Sequence, residues 1–194
     1  MSRKGRIRIP TSDAVEKELK REKYRVKYKS VVKSTVYTLI VVAAIAVLVA
    51  TLVLPVLQIS GESMEPSLSN GEIVVLVKTK KFERGDLCAF YYSNKILIKR
   101  VIGLPGDVIV IDDEGTVFVN NVPLDEPYVT EKALGECDIE FPYQVPEEQL
   151  FVLGDKRESS IDSRSTVIGC IARENILGRI IFKIWPFKEM AFMD

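Results

Sequence analysis

Hydrophobic and polar positions divide the chain into three stretches. From Ser34 to Gly61 no residue is charged, and Val36–Val56 is rich in Val, Leu, Ile and Ala with no one-sided period. A bilayer core needs about 20 such residues in a helix, so this run predicts a transmembrane anchor rather than an amphipathic core helix. Before it, residues 12–30 are polar, with only Val15, Leu19 and Val26 at helical spacing. They predict a solvated juxtamembrane helix drawn to anionic lipid, with Ser12 or Asp13 as cap and Asp13–Glu16 at capping-box spacing. Beyond Gly71 the pattern shortens into strands and turns. Strands are expected at Ile73–Val77, Leu87–Tyr92, Ile96–Ile102, Val108–Ile111, Thr116–Val119, Gln149–Leu153 and Ile176–Ile184. Residues 121–148, with four prolines, are expected to be loop-rich. The fold class is therefore mostly β: an antiparallel β-sheet domain preceded by a single N-terminal transmembrane helix.

Charge sharpens this division. The net charge is zero, yet residues 1–33 carry +8 and residues 34–194 carry −8. By the positive-inside rule residues 1–33 are expected to be a cytoplasmic basic segment, 34–58 the anchor, and 59–194 an extracytoplasmic domain in a single-pass cell-membrane protein. A cleaved signal peptide would have an apolar region of about 7–15 residues and a short basic lead, which does not fit here. Pro55 is expected to end the helix, leaving Ser63 tethered near the outer membrane surface. The basic residues directly precede the apolar run and no aromatic-rich reading surface accompanies them, so the lipid bilayer, not nucleic acid, is the expected partner. Cys88, Cys137 and Cys170 form no CxxC pair, and the chain contains no histidine to complete a zinc site. Neither a disulfide framework nor a metal is expected, although one bridge outside the cell stays open.

Candidate chemistry begins at Ser63, between Gly61 and Pro66. A serine hydroxyl needs a base, and without histidine the Ser-His-Asp arrangement is impossible. A lysine serves only when neutral, which about one in 2,500 is at pH 7 with an ordinary pKa. Desolvation lowers that pKa, so the base must lie among apolar groups. Strand alternation puts Leu97, Lys99 and Val101 on one face, whereas Lys95 sits at a turn and Lys78, Lys80 and Lys81 read as solvated surface. A serine beside proline is also an ordinary turn residue, and a strand lysine an ordinary edge residue. Periodicity alone does not bring the two together.

Three stretches carry a resemblance. They are Ser63-Met64-Glu65-Pro66-Ser67-Leu68, then Lys99 through Asp107 (KRVIGLPGD), then Gly154 through Arg164 (GDKRESSIDSR). In this order, after one anchor, they resemble the bacterial type I signal peptidases of compact Gram-positive form, membrane-bound Ser/Lys endopeptidases. The resemblance implies that Ser63 is the nucleophile, Lys99 its general base, and Ser160 the hydroxyl that orients the lysine amine. It implies that Asp162 and Arg164 hold the framework by ion pairing, that Gly154 and Asp155 open the last motif, and that Met64 and Pro66 shape the turn presenting the serine. It further implies a β domain with an apolar membrane-facing surface, no cofactor, and signal peptides of secreted preproteins, with small residues before the cut, as substrate.

Two positions depart from the family pattern: Gly61 stands where some members place a serine that helps bind the oxyanion, and Lys156 where Asn is common. Glu62 and Glu65, flanking Ser63, are expected to point to water; the other reading, that one tunes Lys99, would raise the lysine pKa and oppose its role. Two alternatives have other functions. One is a non-catalytic anchored homologue that binds secreted or pilin-type chains, which would be expected to have lost Ser63 or Lys99. The other is a Ser/Lys autoprotease of the repressor-cleaving kind, which would be soluble.

Overall fold

A computed structural model describes residues 12–53 and 55–193. The first eleven residues of the expected basic segment lie outside the described residues. The chain divides between Ala50 and Thr51 into two compact units. Helix α1 is continuous from Ser12 to Val53, 42 residues and about 63 Å long. The juxtamembrane helix and the anchor expected separately are thus one element, since no proline or glycine interrupts Ser12–Val53. Its apolar half is exposed from Ser34 to Val49, including Val36, Leu39, Ile40 and Leu48. It is long and apolar enough to cross a membrane. Thr35 and Thr38 turn their hydroxyls back onto the carbonyls of Val31 and Ser34, each at 3.0 Å, so neither carries an unpaired polar group into lipid.

The anchor was expected to reach Gln58, but α1 ends at Val53, and Val56–Gln58 forms strand β1. Pro55 lacks an N–H and disfavours helix at the residue before it. The chain after it alternates in burial and pairs instead with Ile73–Val77, β2. The remaining strands are β3 (Leu87–Tyr92), β4 (Lys95–Gly103), β5 (Val108–Ile111), β6 (Val117–Val119), β7 (Val122–Pro123), β8 (Tyr143–Gln144), β9 (Gln149–Leu153), β10 (Ile171–Ala172), β11 (Ile176–Trp185) and β12 (Ala191–Phe192). The larger sheet runs β1-β2-β11-β3-β4-β9-β10 with β12 on β11; the smaller runs β7-β6-β5-β8. Every pairing is antiparallel.

Three apolar clusters hold the β unit together. One joins Ile59, Met64 and Leu68 to Val74, Leu76, Leu87 and Ile180, so the serine turn rests on the sheet. A second joins the sheets through Ile102, Phe151 and Leu153 against Ile109, Val117 and Val119. The third holds Cys88, Phe90, Val101 and Val152. Burying each large aliphatic side chain contributes roughly 1.5–3 kcal/mol. Cys88, Cys137 and Cys170 are all free thiols.

Candidate active site

The turn between β1 and β2 presents Ser63. It is closed by the Ile59 N–H donating to the Glu72 carbonyl at 2.8 Å and the Gly71 N–H to that of Ile59 at 2.9 Å. Met64 and Leu68 are buried in the core, whereas Ser63 is half-buried and Pro66 exposed. Gly61 has φ +109°, a conformation that L side chains rarely adopt. A serine there would be strained, so this turn favours the glycine it carries. Among the described residues the N–H of Ser63 has no acceptor.

Lys99 comes from the middle of β4. Leu97 and Val101, expected on its face, share one core cluster with Cys88, its partner across the ladder. Lys99 is 4% exposed, and its Nζ donates to Ser160 Oγ at 2.8 Å. Burial pushes its pKa down from 10.5 to about 8, with Asp162 and Asp155 pulling upward and Arg164 downward. Ser63 and Lys99 line one cleft of about 310 Å³, together with Gly61, Met64, Ile96 and Ile98. A larger cavity of about 590 Å³ is lined by Arg84, Arg100, Tyr128 and Arg179 and contains neither residue. Its arginines already pair with Asp107, Asp155 and Asp86.

The loop after β9 brings the remaining expected residues together. Gly154 lies between the two halves of the site: a Cβ there would sit 2.1 Å from Ser160 Oγ and 2.7 Å from the Ser63 carbonyl oxygen. Only glycine lets the serine turn and Ser160 approach so closely. Asp162 accepts the Gly154 N–H at 3.0 Å and two bonds of 2.8 Å from Arg164 Nε and Nη2. Arg164, wholly buried, also donates to the carbonyls of Leu134, Arg157 and Ser160. It thereby supplies the partners that a buried cation requires. Asp155 receives a two-pronged contact from Arg100, at 2.9 and 2.6 Å.

Arg100 is the residue that sequence reasoning left without a role. Its Nη2 also donates to Ser67 Oγ at 2.9 Å, and its guanidinium stacks 3.9 Å over the Tyr128 ring. It ties the strand of Lys99 to the turn of Ser63. The available signal was Lys99-Arg100 in an apolar strand: adjacent residues face opposite ways, so both faces carry a cation. Arg157 and Glu126, a buried ion pair, went equally unnoticed. Glu62 is exposed, as expected, and Glu65 half-buried, and both carboxylates accept from Lys156 Nζ.

Residues 32–185 match the family described as signal peptidase, peptidase S26. Among curated proteins the chain is similar to signal peptidase I of Bacillus licheniformis, 36% identical over 70% of this chain and 79% of that protein. It is likewise similar to signal peptidase IB of Staphylococcus aureus (strain MRSA252), at 34% over 69% and 79%. A crystal structure of a signal peptidase I from Enterococcus faecalis V583 aligns with a TM-score of 0.44 at 30% identity, covering 51% of this chain and 96% of that one. With a family match that runs from the middle of α1 to the end of β11, this chain belongs to the signal peptidase S26 family.

Proposed function

We propose that this protein is a membrane-anchored serine endopeptidase that removes signal peptides from secreted preproteins, with Ser63 as nucleophile and Lys99 as base. The observation that carries this reading is a desolvated lysine in the same cleft as the serine, its amine aligned by Ser160. Neutral Nζ of Lys99 takes the proton of Ser63 Oγ, which attacks the scissile carbonyl. The Ser63 N–H, with no acceptor among the described residues, is the donor available to the developing oxyanion. The lysine ammonium then gives its proton to the leaving amine. Lys99 next deprotonates a water that releases the acyl group from Ser63. Asp162 and Arg164 fix the loop that carries Ser160, while Gly154, Asp155, Met64 and Pro66 shape the approach of that loop and the serine turn.

The cleft also supports the substrate class. It is small, and Leu57, Ile59, Met64, Ile96, Leu97 and Ile98 give it apolar walls, which suits small side chains ahead of the cut. β9 pairs with β4 only from Arg100 onward, leaving the Ile96–Lys99 edge open on that side. An extended substrate added there gains main-chain hydrogen bonds that set its register. The charge asymmetry supports a topology with residues 1–33 in the cytoplasm, the apolar half of α1 in the bilayer and the β unit outside.

The reading is tested by cleavage of a model preprotein with wild type, Ser63→Ala and Lys99→Ala. Both variants fold, and both lose at least roughly 10³-fold in kcat/KM. Activity retained in either would reject the assignment.

A further inference from the structure

The two reactive residues come from unconnected elements, a turn after β1 and the middle of β4, so something must hold them in mutual register. The loop Gly154–Arg164 does so at both ends. At one end Ser160 accepts from Lys99. At the other, Lys156 makes three contacts around Ser63. Its N–H donates to the Ser63 carbonyl at 3.1 Å. Its Nζ donates at 3.1 Å to Glu62, the residue before the serine, and at 3.1 Å to Glu65, two residues after it. One ammonium therefore brackets the nucleophile. The two carboxylates hold the lysine pKa above its ordinary value, Glu62 first.

We propose that Lys156 is a positioning residue that clamps the Ser63 turn through Glu62 and Glu65 and so sets the reach of Ser63 Oγ from Lys99. A neutral amide at this position could not form ion pairs with two carboxylates; the pair of glutamates and the lysine act here as one unit. The inference rests on the Ser/Lys reading above.

Its signature is sensitivity to salt. Lys156, Glu62 and Glu65 keep 41%, 68% and 36% of their side-chain surface exposed, so ions screen these pairs, whereas the buried Lys99–Ser160 contact is shielded. The experiment compares wild type with Lys156→Met, which keeps the backbone N–H and most of the side chain but removes the ammonium, with Lys156→Arg, and with the double variant Glu62→Gln/Glu65→Gln. At low salt Lys156→Met and the double variant lose roughly 3- to 10-fold in kcat with KM little changed, and Lys156→Arg recovers most of it. From about 0.05 to 1 M salt, wild-type kcat falls toward that of Lys156→Met, whose own kcat stays flat. Combining Lys156→Met with the double variant adds no further loss, as expected of one unit. Wild-type kcat in Lys156→Met, or the same salt response in both proteins, would overturn the clamp. Neither outcome touches the dyad, whose failure would appear instead as activity in Ser63→Ala or Lys99→Ala.

Discussion

The two halves of the candidate site are held by opposite means. Ser63 sits half-exposed on a turn outside every strand, held by two buried apolar neighbours and partly solvated ion pairs. Lys99 lies in an interior strand of the sheet, its amine buried with Ser160 and a sealed carboxylate–guanidinium network nearby. The difference is what the proposed Ser63/Lys99 chemistry requires of each. A nucleophile has to meet an incoming peptide, so its segment must be open. A lysine base has to lose its proton near neutral pH, so it must be dry. Changes on the lysine side should therefore act through buried groups with large effects, and changes at the serine turn's exposed rim through small ones.

The strongest test of this contrast is Asp162→Ala. It strips Arg164 of its carboxylate while leaving the guanidinium buried, which costs about 3–5 kcal/mol, read as a lowered midpoint in denaturant unfolding. A midpoint unchanged from wild type would mean that the network is not what holds the lysine side. Gly154→Ala comes next. The added methyl collides with both Ser160 and the Ser63 carbonyl, and a displacement of about 1 Å is enough for roughly 10²-fold in kcat. Near-normal kcat would show that the two halves are not in contact through this glycine.

The burial of Lys99 also carries a cost that stability measurements can read. With a folded pKa of about 8 against an ordinary 10.5, the unfolded chain binds more protons between those two values. Wild-type stability therefore rises with pH across that window, and below pH 8 the folded protein bears the full cost of a buried cation. Lys99→Met escapes it. At pH 7 this variant is expected to be more stable than wild type by up to about 3 kcal/mol, the advantage fading as pH approaches 10.5. A pH-independent difference would contradict the desolvation of Lys99.

The sequence made the lysine side legible in part. Alternation in β4 singled out Lys99 from Lys95, because period-2 patterning reports which residues face the core. The hairpins and strands with long apolar runs were equally plain, as was the need for a base other than imidazole. The proximity of Ser63 to Lys99 was not legible, since no local period encodes a contact between segments so far apart in the chain. Ser160, Asp162 and Arg164 were reached only through resemblance, for the same reason. Arg100 and the Arg157–Glu126 pair stayed hidden because a buried ion pair looks in sequence like two surface charges. Strands β7 and β8 are two residues each, too short to leave a pattern, and Val56–Gln58 was absorbed into the apolar run that precedes it.

The central claim is that Ser63 is activated by an uncharged, desolvated Lys99, and the pH dependence of kcat/KM on a model preprotein tests it most directly. Cleavage should be weak at pH 6, rise tenfold per pH unit, and reach half its maximum near pH 8, where the Lys99 amine loses its proton. A profile that is flat from pH 6 to 9, or one that rises only near the ordinary lysine value of 10.5, would contradict it.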